Sequence, residues 1–342
     1  MISLFVAAAF GQSYLQSVKA ADLRHFVTFL ASDSMKGRQT PSPELDQAAD
    51  YIARQFKEEG VLPGNIDSYF QIADWSRGAG TGQKVRNVIG VIPGSDPILA
   101  KQFVIVSAHY DHLGVKRGDA QPGEDVIYNG ADDDASGVAG VLEIGKALAK
   151  ERPRRTIVLM TFYGEEKGLV GSHYYVDHPV FPLKDTVANI NVEQIGRTDD
   201  TEGPRVSAAS LTGFSFSSIG TTFERIGKAM GVPVTGHPRY SAMYFGASDN
   251  LFFARAGVPA HTICTAFEFP DYHAVGDSAD KLDYDNMAKV VRMTAATVLD
   301  VANSEARPTW NASEPAAKRY LEAAEKLAGA KGLASLGLAL TR

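Results

Sequence analysis

Cysteine is nearly absent: Cys264 is the one example in 342 residues. No disulfide can form within the chain, so cysteine usage carries no information about compartment, and Cys264 reads as a small buried hydrophobe. Excess positive charge is missing too. The 34 Lys and Arg stand against 40 Asp and Glu, a formal net charge of −6, which argues against nucleic acid as a partner. Past the first dozen residues no stretch approaches the roughly 20 apolar residues that cross a bilayer, so no stable membrane span is expected. There is no internal repeat and no long linker. The glycine-rich stretch 78–82 lacks both the Walker and the dinucleotide spacing. Ser136 lacks the Gly-x-Ser-x-Gly elbow of a serine hydrolase.

What remains is an ordinary globular composition, 44% hydrophobic and 22% charged, enough for a full core. The length admits two domains or one large α/β domain. Residues 1–12 (MISLFVAAAFGQ) resemble the apolar part of a secretory signal without its basic start. They lead us to expect an exported protein, periplasmic or secreted, with a cytoplasmic one as the alternative.

Apolar periodicity predicts helices over 20–31, 138–150, 168–175, 217–230, 251–256 and 285–302. A further helix starts at Ser42, a good N-cap, with Pro43 at its first position and Leu45, Ala49, Ile52 and Phe56 on one face. Strand-like runs fall at 69–75, 85–92, 103–108, 156–162, 187–192 and 259–265. Continuous apolar runs alternating with amphipathic helices predict an α/β fold, a mostly parallel twisted sheet covered by helices on both faces. We expect one catalytic domain over 20–302 and a tail over 303–342, rich in Ala, Lys, Glu and Leu, with a helix at about 314–328. In such sheets the binding crevice lies beyond the carboxyl ends of the strands, where His109, Glu165 and Glu193 fall.

Three adjacent aspartates, Asp132, Asp133 and Asp134, sit between glycines just before a helix. Like charges crowd this way only when something positive sits among them. Divalent ions such as zinc take imidazole and carboxylate ligands, and a catalytic site leaves a position for water. A pair of ions needs a shared anionic bridge. The available donors are His109, one aspartate of the triple run, Glu165 or Glu166, Glu193 and His273. Adjacent side chains in extended backbone point opposite ways, so Glu165 and Glu166 are expected to differ in role. His25, His112, His173, His178, His237 and His261 read as structural or surface histidines, with His112 close enough in sequence to line the site.

HYDHLG at 109–114, GADDDASG at 130–137, GEEKGLVGS at 164–172, SDN at 248–250 and PDYH at 270–273, in that order, resemble the two-zinc aminopeptidases of the M28 peptidase group. The resemblance covers residues 23–302 and implies the zinc peptidase form of the phosphorylase/hydrolase-like fold. It implies two Zn2+ per chain, with Co2+ or Mn2+ able to substitute. Asp133 would bridge both ions, His109 and Glu193 would complete one, and Glu166 and His273 the other. Glu165 would be the general base, Asp111 would orient His109, and Tyr272 could donate to the oxyanion. Asp134 would hold the bridging loop, where the family has a cis peptide. Glu193 stands where Asp is commoner, which leaves that ion's identity open.

The function so implied is hydrolysis of the N-terminal bond of peptides bearing a free N-terminus, by water activated between two zinc ions. The alternatives are a carboxypeptidase or dipeptidase using Arg197 or Arg239 to grip a carboxylate, a single-zinc glutaminyl cyclase, and a metal-free binding module. Candidate pocket walls are Phe214, Phe216, Tyr240, Tyr244, Phe245 and Phe267. The oligomeric state is not legible.

Overall fold

The computed structural model describes residues 13–116, 118 and 121–337. Residues 1–12, with the signal-like stretch, lie outside the described residues. In chain order the strands are β1 (Leu62–Pro63), β2 (Phe70–Asp74), β3 (Lys84–Ile92), β4 (Phe103–His109), β5 (Gly114–Val115), β6 (Ile127–Tyr128), β7 (Thr156–Phe162), β8 (Thr186–Val192), β9 (Ala209–Leu211), β10 (Val234–Thr235) and β11 (Ala260–Cys264). The helices are α1 (Ala20–Leu30), α2 (Pro43–Glu58), α3 (Gly137–Leu148), α4 (Val170–Asp177), α5 (Ser218–Met230), α6 (Tyr240–Met243), α7 (Asn250–Arg255), α8 (Tyr284–Asn303) and α9 (Lys318–Gly337).

Nine strands form one sheet in the order β1-β3-β7-β4-β8-β11-β9-β10, with β2 also paired to β3. The four central strands, β7, β4, β8 and β11, run parallel. The flanks turn antiparallel, β3 against β7 and β9 against β11. The expected α/β architecture is present as a mixed sheet whose parallel part is its centre. Every residue of β7, β8 and β11 is buried, because helices cover both faces. Alternation along β4 shows this directly. Val104, Val106 and Ala108 enter the core cluster that includes Val138, Val141, Val290 and Val291 of α3 and α8. Ile105 enters the opposite cluster with Tyr175 of α4 and Phe253 of α7.

Local signals worked as their chemistry requires. The Ser42 hydroxyl accepts from the Leu45 amide at 3.0 Å, with Pro43 opening α2. The tail packs back on the second cluster, where Trp310, Ala317 and Tyr320 join Phe216 and Phe245. Its helix begins at Lys318 after a 3-10 turn at Pro315–Ala317, and it runs further than the apolar pattern implied. The hairpin β5–β6 and the strands β9 and β10 were not anticipated, since two or three residues carry no measurable period.

Candidate metal centre

Parallel register brings the loops after β4, β7 and β8 to one edge of the sheet. His109 ends β4 opposite Phe162 of β7, and Ser107 of β4 pairs with Asn191 of β8. Glu165 and Glu193 therefore start their loops beside His109. The loop before α3 rises among them, and His273 arrives from the turn after Phe269. Asp133, Glu165, Glu166, Glu193 and His273 line one cleft together with Gln194, Thr212, Tyr244, Ser248, Cys264, Phe267 and Tyr272, and His109 is buried behind Asp133.

Asp133 is the centre of the arrangement. Its Oδ1 lies 3.1 Å from His109 Nε2, and its Oδ2 lies 3.0 Å from His273 Nε2 and 3.8 Å from His112 Nδ1. Glu193 Oε1 is 4.0 Å from His109 Nε2. Glu166 Oε1 is 2.8 Å from His112 Nδ1 and 3.5 Å from His273 Nε2. Among the described residues two triads have donor atoms mutually close enough to share an ion, His109–Asp133–Glu193 and His112–Asp133–Glu166. Asp133 belongs to both.

The two flanking aspartates of the run do structural work. Asp134 accepts from the amides of His109, Gly137 and Gln194, tying together the ends of β4 and β8 and the start of α3. Asp132 accepts from the amides of Gly196 and Arg197. Asp277 receives the amides of Asp132 and Asp133. The peptide between Asp133 and Asp134 is cis, as the resemblance implied. Behind the loop the buried Arg38 guanidinium donates to the carbonyls of Leu30, Tyr110, Asn129 and Gly130. No period or spacing pointed to Arg38, Thr40 or Asp277.

Asp111 lies against His109 and reaches beyond it. His109 Nδ1 faces the Asp111 backbone carbonyl at 3.2 Å, and the carboxylate Oδ1 is farther, at 3.7 Å. The carboxylate also accepts from the Glu165 amide at 3.0 Å and the Thr40 hydroxyl at 3.0 Å. Asp111 thus links the His109 loop to the Glu165 loop. Glu165 and Glu166 do not alternate across a strand. They occupy a 3-10 turn at Glu165–Lys167, and both reach the same cleft. They differ in neighbours: Glu166 meets His112 and His273, while Glu165 faces the His109 side.

Electrostatics pull the carboxyls apart. Burial pushes Glu165 well above the usual range, Glu193 up to about 7 and Asp249 up to about 6. Burial also opposes ionisation of Asp133, yet the imidazoles of His109 and His273 hold it well below that range. Burial and Asp133 raise Glu166, but His112 and His273 bring it down to about 2. Burial alone would lower His109, and the carboxyls of Glu165, Asp111 and Asp133 carry it well above its ordinary value. The polar atoms are not satisfied among themselves. His109 Nε2, both nitrogens of His112, Asp133 Oδ2 and Glu166 Oε1 are buried without a hydrogen-bond partner. Orphans of this kind are rare in folded proteins. Here they converge on one place and comprise the nitrogen and oxygen donors that a divalent ion takes, so the residues fit a metal.

Of the pocket candidates, Tyr244 and Phe267 line the cleft. Phe216 and Phe245 belong to the core beneath the tail, Tyr240 is buried behind the wall, and Phe214 packs on the main core. Cys264 is buried at the end of β11 with its side of the strand on the cleft. Tyr272 is 38% exposed at the mouth, stacked on His273 with ring centroids 4.1 Å apart. Ser248, in the SDN motif, donates to Glu193. Arg197 is occupied by Asp199 and Asp271, and Arg239 by Glu202.

A sheet of this order with an imidazole–carboxylate cluster at its carboxyl edge defines a class of hydrolase. The chain belongs to peptidase family M28, whose model matches residues 87–298, more than half its length. It is thus a member of an enzyme family. Among relatives, a probable zinc metalloprotease of Leptosphaeria maculans is 22% identical over 87% of this chain and 77% of its own length. Aminopeptidase YwaD of Bacillus subtilis is 27% identical over 67% of this chain, which spans about half (47%) of that relative. The crystal structure of the LapA aminopeptidase of Legionella pneumophila superposes with a TM-score of 0.65 at 20% identity, covering 89% of this chain and 76% of that one. At that identity the likeness speaks for the fold.

Proposed function

We propose that this protein is an aminopeptidase that holds two zinc ions in the cleft and releases the N-terminal residue of peptides. The observation that carries this reading is Asp133, whose two oxygens face different imidazoles, His109 on one side and His273 on the other. One carboxylate presented to two donor sets is what a paired site requires. His109 and Glu193 would hold one ion, Glu166 and His273 the other. The metal-directed and aminopeptidase names of the relatives point the same way. Bound there, the ions would polarise the scissile carbonyl and lower the pKa of the attacking water.

The chain's own residues supply the rest. Glu165 takes the proton of the attacking water and returns it to the leaving amine. Its amide is anchored on Asp111, which fixes the turn it stands on. Tyr272, at the mouth beside His273, would donate to the oxygen that gains charge. Glu165 and Glu193 offer an acidic end for a substrate ammonium. Among the described residues lining the cleft there is no lysine or arginine. Arg197 and Arg239 are both engaged by carboxylates. A substrate carboxylate therefore finds no guanidinium or ammonium there, which sets the carboxypeptidase reading behind the aminopeptidase one. The shared bridge likewise favours two ions over the single ion of a cyclase, and the retained donors argue against a metal-free binding module.

Glu165→Gln tests the assignment. We expect kcat to fall by roughly 10²–10⁴-fold, with metal content by elemental analysis unchanged and an amino-acyl anilide hydrolysed far faster than its N-acetyl form by the unaltered enzyme. Near-normal turnover in the variant would refute Glu165 as the base, and preference for the acetylated substrate would refute the aminopeptidase reading.

A further inference from the structure

We infer that His112 is a ligand of the ion held by Glu166 and His273, an inference that rests on the two-ion reading above. That site would then carry two imidazoles and two carboxylates, while the His109 site has one imidazole and two carboxylates. The expected set of five donors did not include His112.

Four observations support this. His112 is wholly buried, and neither ring nitrogen has a hydrogen-bond partner. Its Nδ1 is 2.8 Å from Glu166 Oε1, yet the two groups are not aligned as a hydrogen bond, and that oxygen is also without a partner. A nitrogen and an oxygen that close, with no hydrogen bond joining them, can both turn to a third body beside them. Second, His112, Asp133 and Glu166 bring their donor atoms within 4.8 Å of one another. Third, the ring of His112 stands 5.9 Å from that of His273, edge to face, so both imidazoles flank the same two carboxylates. Fourth, the backbone of His112 is pinned. Its amide donates to the Arg38 carbonyl and its residue bridges to Gln39, in the segment that the buried Arg38 side chain anchors.

A purely structural role is the competing account. A Cβ added to Gly130 would come within 2.5 Å of His112 Cγ, so the ring packs closely on the bridging loop. Packing explains the ring's position and burial. It does not explain two unpaired nitrogens beside an unpaired carboxylate oxygen, because an apolar ring would pack as well without them. The two sites then differ chemically. Imidazole-rich sets suit zinc or cobalt, and carboxylate-rich sets also accept manganese or magnesium. We expect the His112 site to retain zinc tightly and the His109 site to exchange more readily.

The test is metal affinity, read without activity. Purified apoprotein is titrated with zinc against a chromophoric chelator, and the unaltered chain should take up two equivalents. His112→Phe keeps a ring against Gly130 and removes both nitrogens. It should bind one equivalent as before and the other more than about 100-fold more weakly, beyond the roughly 10–100-fold that losing a residue which only orients a ligand costs. Wild-type affinity for both equivalents in His112→Phe would make the ring a packing element and overturn the inference while leaving two ions in place. Fewer than two equivalents in the unaltered chain would instead overturn the reading beneath it. Imidazole 15N spectra of the unaltered chain decide the point without any substitution. On zinc loading, three of the 8 histidines should show metal-bound nitrogens; two would overturn the inference.

Discussion

His261 and His112 are both fully buried, and their surroundings separate their uses. His261 has a partner on each nitrogen, the Ser217 hydroxyl at 2.6 Å and the Thr212 carbonyl at 2.8 Å. It is a satisfied core histidine, as the sequence suggested, and burial lowers its pKa to about 4. Its folded pKa lies below the unfolded value of about 6.5, so the unfolded chain takes up the proton first. The stability it leaves intact above about pH 6.5 is lost as pH falls toward about 4, on the order of 3 kcal/mol in all. Chemical denaturation at pH 7 and pH 5 should show a loss that is smaller in His261→Gln; equal losses in both proteins would discard this account. In the sequence His112 differs from His261 only in lying close enough to His109 to line the site. The signal that separates them, two histidines three residues apart around Asp111, became meaningful only once Glu166 was seen across from it.

At the scale of elements, the start of α3 joins fold to site. Gly137 has ordinary helical angles, so a side chain is excluded there by space alone. An added Cβ would lie 2.2 Å from the Val192 carbonyl oxygen and 2.3 Å from Asp134 Oδ1. Gly137→Ala should therefore destabilise by about 1–3 kcal/mol through overpacking, despite the roughly 1 kcal/mol that Ala gains over Gly in helix propensity. It should weaken metal binding as well, because Asp134 must shift and it shares the loop of Asp133. Thermal unfolding of the variant checks this, and an unchanged midpoint would mean that the helix start slides freely. The long elements were legible because their apolar runs are local: β7 spans the residues expected, and α2 opens at its Ser42 cap. The turn carrying Glu165 and Glu166 was misread as extended, since three residues with no period give pattern arguments nothing to work on.

For the whole molecule, the acidic cleft and the stability of the fold are coupled. Carboxyls that burial pushes upward stand beside others that imidazoles hold down, and a dication would favour the ionised form of all of them. Removing metal with a chelator should abolish peptidase activity and lower the melting temperature by several degrees, since each ion at a hundredfold excess over its Kd contributes about 2.7 kcal/mol. Readdition of zinc should restore both. A melting temperature indifferent to chelation would contradict a centre that holds the loops after β4, β7 and β8 together. By itself the sequence determined the alternation of helix and strand, the burial of the central strands on both faces and the location of His109, Glu165 and Glu193 at strand ends, because each of these follows from side-chain character over a few consecutive residues. The motifs' resemblance already pointed to Asp133 between His109 and His273; that the Asp111 carboxylate grips the Glu165 turn and that His112 meets Glu166 emerged from the folded arrangement alone. Those pairings depend on the strand order β7-β4-β8 and on loops far apart in the chain, and no local period encodes which distant groups share a space.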